Sequence, residues 1–329
     1  MAVDPGQAVN SVTNPVLLKH ANSITAESVM KADPIGVSAG VYNYTQADTL
    51  INFAQTNGIE VRGHALLWHQ TTPAWFFAGD PSSPTYKATV RARLETYITD
   101  VVTHFKGKVY AWDVVNEPTR DDASGNYRNS QWYQIFGPDY IEIAFRAARA
   151  ADPTVQLFLN EYGTEFADKR GRFLAILDEM LTRGVPIDGV GHQFHINTAS
   201  PTVAEAKAAL TAIETRGLLN HVTELDVSLY TSDAGTCYSS PPTGCQATFV
   251  AGTSAYLTAL QSQALQYRAM FKLFTEHTSV KSVTMWGVAD NSTWLSSFPT
   301  PRVNHPLLFD TGGKPKSAFW AVVDPAFVP

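Results

Sequence analysis

One feature constrains this chain more than any other. Short runs rich in β-branched and aromatic residues alternate with longer stretches of helical spacing from end to end. The strand-like runs are Asn22 to Lys31, Ile59 to Gln70, Val109 to Glu117, Val155 to Gly163, Ile187 to Ile196, His221 to Leu229 and Val280 to Val288. Between them lie Gln46 to Gly58, Tyr86 to Gly107, Pro138 to Pro153, Lys169 to Gly184, Thr202 to Gly217 and Ala255 to His277, with a last short helix near Ala318 to Val323. The Tyr86 stretch shows the period well, since Val90, Leu94, Tyr97, Ile98, Val101 and Val102 fall on one side. Strands and helices in this rhythm build a parallel sheet with helical crossovers. An open doubly wound sheet would need a Gly-rich phosphate turn after its first strand, and none is present. The expected fold is therefore an α/β (β/α)8 barrel of the TIM type, one domain over 329 residues. Its first strand has only Met1 to Asp4 available, so it is either a stub or truncated.

With 44% apolar and 16% charged residues the chain can bury a large core. Its net charge of −6, with Lys and Arg scattered, argues against nucleic acid and for a neutral or weakly charged partner. No apolar run approaches the roughly 20 residues that span a bilayer, so no membrane role is expected. A monomer is expected. The opening residues MAVDPGQAVN carry no signal-peptide pattern. Cys237 and Cys245 lie in a Gly-, Ser- and Pro-rich segment, where a small disulfide-closed loop fits a secreted protein; two free thiols are the alternative.

Chemistry should sit at the C-terminal strand ends, where a closed barrel gathers its tips at one mouth. The tips carry His64, Trp68 and His69; Asn116 and Glu117; Asn160, Glu161 and Tyr162; Gln193 and His195; Glu224 and Asp226; and Trp286. Any one of these has a plain structural explanation, a core tryptophan or a satisfied histidine. Polar groups at six coincident tips are hard to explain by packing. Counting the stub, Glu117 and Glu224 end the fourth and seventh strands. Two carboxyls facing across a mouth lined by aromatic faces point to glycoside hydrolysis, in which one donates a proton to the leaving oxygen and the other attacks the anomeric carbon. Asp226 could orient His195, which would hydrogen-bond the second carboxylate and keep it charged. Neither a metal nor an organic cofactor is expected. The tip histidines lack ligand spacing, and His64 and His69, five apart on a strand, should point to opposite faces.

The ordered set TAExxMK, RGHxLxWH, WDVVNEP, GHQFHI, TELD and MWGV, spread from Asn22 to the C-terminus, resembles glycoside hydrolase family 10, the retaining endo-β-1,4-xylanases. The resemblance implies Glu117 as acid/base and Glu224 as nucleophile. It implies Asn116 and His195 as the nucleophile's partners, with Asp226 behind the histidine. Glu27, Lys31, His64, Trp68, Gln193, Trp286 and Trp294 would hold sugar, and xylan would be the substrate. Two positions depart from the family pattern. Ser28 stands where an Asn is usual and Thr71 where a Gln is usual, both at the sugar one unit further on the glycone side; Gln70 could replace the lost amide. The loop after Trp294 is also longer than usual, with Leu295 in place of an Arg. Two alternatives follow: the same mechanism on another β-glycoside, or a non-catalytic carbohydrate-binding barrel.

Overall fold

The structure is a computed structural model that describes residues 1–329. Eight parallel strands form its main sheet: β1 Ala2–Val3, β2 Ser23–Ala26, β3 Glu60–Trp68, β4 Ala111–Asn116, β5 Gln156–Glu161, β6 Gly189–His192, β7 Leu219–Ser228 and β8 Val280–Met285. Each strand pairs with the next in the chain, so the order never reverses. That uninterrupted order is what separates a barrel from a doubly wound sheet, whose order switches direction. Helices α1 Thr13–His20, α2 Thr45–Thr56, α3 Tyr86–His104, α4 Asp139–Ala151, α5 Ala167–Thr182, α6 Val203–Glu214, α7 Ser254–Glu276 and α8 Ser317–Val323 follow the eight strands in turn. The fold is the expected (β/α)8 barrel. Its first strand is a two-residue stub, with Ala2 opposite Thr25 and Val3 opposite Ala26.

The helices form where the sequence supplies both an apolar stripe and an end signal. In α4, Ile141, Ala144, Phe145 and Ala148 turn inward, Asp139 and Glu142 occupy the positive first turn, and Arg149 sits in the last. At the start of α6, the Thr202 N–H donates to Glu205 Oε2 at 2.8 Å and the Thr202 hydroxyl accepts from the Glu205 N–H, a reciprocal cap. Apolar residues from strands and helices merge into one contiguous buried cluster.

The barrel interior is not wholly apolar. Fully buried Arg62 donates through Nε to Asp113 Oδ2 at 3.3 Å, stacks over Phe158 at 4.5 Å and meets His221 Nδ1 at 2.6 Å. Burial pulls the Asp113 carboxyl up, but Arg62 and His64 outweigh it and hold the group below its ordinary range. Asp113 in turn fixes the ring of His64 at 3.0 Å from below. A buried ion pair of this kind contributes little net stability but orients what rests on it.

Three expectations about strand limits need correction. The run from Asn22 to Lys31 is strand only over Ser23–Ala26. His69 lies beyond β3 in a turn, so strand alternation does not govern it. The stretch from Ile187 to Ile196 splits into β6 and a short strand, His195–Asn197, which pairs with β7. Phe194 causes the split with φ of 54°, a left-handed value that packing stabilises, since its buried ring lies edge-on to Phe274 at 5.7 Å.

Candidate active site

Backbone hydrogen bonds set the height of each strand tip. The Glu117 N–H donates to the Asn160 carbonyl at 2.8 Å, Gln193 to Glu161 at 3.0 Å, Glu224 to Gln193 at 3.1 Å, and Trp286 to Leu225 at 2.9 Å. Four tips are thus tied each to its neighbour. Glu117 lies one residue past β4 with φ of 56°, a conformation that costs a non-glycine residue about 1–2 kcal/mol. Its surroundings hold it there. Arg128 Nε donates to the Glu117 carbonyl at 2.9 Å, and the Thr119 N–H donates to Glu161 Oε2 at 2.9 Å.

The two carboxyl groups are held differently. Glu117 Oε2 accepts from the Trp68 indole at 2.9 Å and Oε1 from Gln193 Nε2 at 3.2 Å. Glu224 Oε1 accepts from Asn160 Nδ2 at 2.8 Å, and its Oε2 lies 3.2 Å from His195 Nε2. The other ring nitrogen of His195 lies 2.9 Å from Asp226 Oδ2, which also accepts from the Trp294 indole at 2.8 Å. Only the imidazolium carries a proton on both nitrogens, so only that form satisfies both carboxylates. Burial pulls the His195 pKa down, but Asp226 and then Glu224 reverse this and push it up to about 10. For Glu224, burial acts upward, but the His195 hydrogen bond together with the charges of His64 and His195 outweighs it and holds the carboxyl below its ordinary value.

Amides join the pair. Asn116 Oδ1 accepts from Asn160 Nδ2 at 2.8 Å and from Gln193 Nε2 at 3.2 Å. Each NH2 group therefore divides its two hydrogens, Gln193 between Asn116 and Glu117, Asn160 between Asn116 and Glu224. Four hydrogen bonds through three amides connect one carboxyl to the other and fix them about a single gap. This corrects one assignment: Asn116 makes no hydrogen bond to Glu224, and Asn160 makes it instead. Thr223 Oγ1 donates to Asn160 Oδ1 at 2.7 Å and locks the amide's orientation.

The remaining sequence candidates form the rim. Lys31 Nζ lies 4.8 Å from the Trp68 ring centroid. Burial lowers the Lys31 ammonium pKa, whereas burial and Asp4 raise Glu27 to about 6. Trp286 is edge-on to His64 at 5.3 Å and to His195 at 6.2 Å, and Trp294 is edge-on to His195 at 5.0 Å.

The model of the family described as "Glycosyl hydrolase family 10" matches residues 1–325. The chain belongs to glycosyl hydrolase family 10. This family 10 chain is 39% identical over 333 residues to endo-1,4-beta-xylanase C of Paenibacillus barcinonensis, covering 95% of the chain but 29% of that protein. It is 37% identical over 327 residues to an endo-1,4-beta-xylanase of Geobacillus stearothermophilus, covering 97% and 94%. The chain thus spans less than a third of the first relative and nearly all of the second. Among solved structures, xylanase B from Clostridium stercorarium F9 superposes with a TM-score of 0.90 at 36% identity, covering 98% of this chain and 95% of that one.

Beside Glu117 the family 10 chain carries a polar network that motif reading left unassigned. Asp121 pairs with Arg128 at 2.8 Å and with Lys169 at 2.9 Å, and Lys169 lies 3.2 Å from Glu161. Burial pushes the Glu161 carboxyl up to about 7 against the pull of Lys169. Asn160 and Glu161 were visible as a strand tip. Arg128 and Lys169, on a loop and on α5, gave no signal. At the two departures, Ser28 is exposed and its N–H donates to Asp4 Oδ1 at 3.0 Å. The Thr71 hydroxyl is buried without a partner, and Gln70 is exposed with its side chain hydrogen-bonded to no protein group.

Proposed function

We propose that this chain hydrolyses the β-1,4-linked backbone of xylan with retention of configuration, as a single catalytic domain acting as a secreted monomer without metal or organic cofactor. The observation that carries the reading is the unequal holding of two carboxyls about one gap. Glu224, kept ionised beside the His195 imidazolium, attacks the anomeric carbon while Glu117 delivers its proton to the departing glycosidic oxygen. The sugar–oxygen bond breaks, and a glycosyl ester to Glu224 forms. Glu117, now a carboxylate, takes a proton from water, whose oxygen displaces Glu224 and regenerates both groups. In this double displacement the carboxyls need a separation of about 5 to 5.5 Å. In this reading Asn116, His64 and Lys31 contact sugar hydroxyls, and Trp68 and Trp294, both partly exposed, offer faces to the ring's C–H side. The relatives' activity supports xylan as substrate, and the Cys237–Cys245 disulfide supports export.

The test is Glu224→Ala. Turnover should disappear, and azide should restore it with a glycosyl azide of inverted configuration as product. Near-normal activity without azide would remove the assignment. Ser28 and the partnerless Thr71 hydroxyl favour a second reading, in which the altered glycone site serves a different β-glycoside. A panel of xylan, xylo-oligosaccharides and aryl β-glycosides separates the two, since the second requires that xylan not be cleaved.

A further inference from the structure

Two loops at the mouth do something the catalytic residues do not require. One follows β7 and contains the Cys237–Cys245 disulfide; the other follows β8 and runs on past Trp294. Together they display two large aromatic side chains to solvent, Tyr238 at 58% exposure and Phe298 at 43%. The pair is continuous with the site. Phe298 stacks on Trp294 with centroids 4.8 Å apart, Tyr238 tilts against Phe298 at 5.6 Å, and Trp294 hydrogen-bonds Asp226 behind His195.

The loops are also pinned with unusual thoroughness. Arg302 and Asp233, both nearly buried, form an ion pair between them, and the Arg302 guanidinium lies 3.6 Å over the Tyr230 ring. The Gln246 N–H donates to Asp233 Oδ1 at 2.9 Å, and its side-chain oxygen accepts from the Thr231 N–H at 3.1 Å. A disulfide, a buried ion pair and a cation–π contact would more usually secure residues that are themselves buried. Here they fix the backbone beneath two rings left in water. An apolar ring held rigidly beside a cleft loses little entropy when a ligand covers it, which suits a sugar chain that offers flat C–H faces and no charge.

We propose that Phe298 and Tyr238 form a distal sugar-binding platform, occupied by units of a neutral β-1,4-linked chain that lie beyond those at the point of cleavage. The platform rests on the hydrolase reading and extends it, because it makes rate depend on chain length. Xylose rings bind on the outer faces of Phe298 and Tyr238, the inner face of Phe298 being covered by Trp294.

The experiment compares wild type with Phe298→Ala, Tyr238→Ala and the double variant on xylohexaose and on an aryl β-xylobioside. The expected result is a loss of kcat/KM on xylohexaose of about 3- to 10-fold for each variant, with the aryl xylobioside unchanged and Phe298→Tyr retaining most of the wild-type rate. Equal rates on xylohexaose would overturn the platform. A loss of the same size on both substrates would overturn it too, because the rings would then be acting through Trp294 on the reacting centre. Both positions are solvent-facing, and unchanged thermal unfolding verifies that the fold is intact. Wild-type inactivity on both substrates would instead sink the xylan reading on which the platform rests, so the two failures are distinct.

Discussion

At the scale of single residues, the site turns on His195, whose two nitrogens face Glu224 and Asp226. Replacing it with Gln removes a positive charge beside Glu224, so the Glu224 pKa rises towards and above its ordinary 4.5. The acid limb of kcat/KM should move to higher pH, with activity at the optimum falling about 10²-fold. An unmoved acid limb would show that His195 does not tune the nucleophile. The same ring makes a stability claim of opposite sign at each end of the pH scale. His195 is raised from 6.5 to about 10 by folding, so its contribution is complete below pH 6.5 and is lost as pH climbs to about 10. Glu224 is depressed, so its contribution is present above pH 4.5 and is lost as pH falls. Urea unfolding at a series of pH values should therefore find the gap between wild type and His195→Gln widest between these two ordinary values. The gap should narrow steadily towards pH 10, and a gap independent of pH would refute this account.

At the scale of elements, the barrel was legible because each strand carries an apolar run and each crossover a helical stripe. Those patterns depend on neighbours a few positions away. The tip residues were legible for the same reason, since a polar residue ending an apolar run marks a strand mouth whichever strand lies beside it. What could not be read depends on which strand does lie beside it. Asn160 was seen as a tip, but its hold on Glu224 exists only because β6 leaves it room. Gly191 supplies that room: a Cβ there would fall 2.1 Å from Asn160 Oδ1 and 2.9 Å from Thr223 Cγ2. The break at Phe194 was hidden too, because a left-handed phenylalanine has no signature in the chain. Arg128 and Lys169 were missed since loop and helix meet there only in three dimensions. These contacts yield a prediction for the β5–β6–β7 unit. Gly191→Ala should leave the circular dichroism spectrum unchanged yet lower kcat by about 10²-fold, as Asn160 swings away from Glu224. A kcat within twofold of wild type would mean that the amide bridge does not position the nucleophile.

At the scale of the whole molecule, the net charge of −6 matters for the proposed function because the xylans it would meet differ in charge. A plain xylose chain is neutral, so the protein's field neither steers nor repels it. Xylan bearing uronic acid side groups is an anion and approaches a surface of like sign. Salt separates the two cases. Raising ionic strength from about 0.01 M to 1 M shortens the Debye length from about 30 Å to about 3 Å, which removes long-range repulsion and leaves contact interactions largely intact. The expected outcome is that kcat/KM on unsubstituted xylo-oligosaccharides stays flat across that range, while the value for uronate-bearing oligosaccharides of equal length rises with salt. Initial rates at low substrate concentration measure both. If instead the acidic substrate slows as salt increases, local cations must be attracting it, and Lys31, which faces Glu224 and Glu117, would then outweigh the charge of the molecule as a whole.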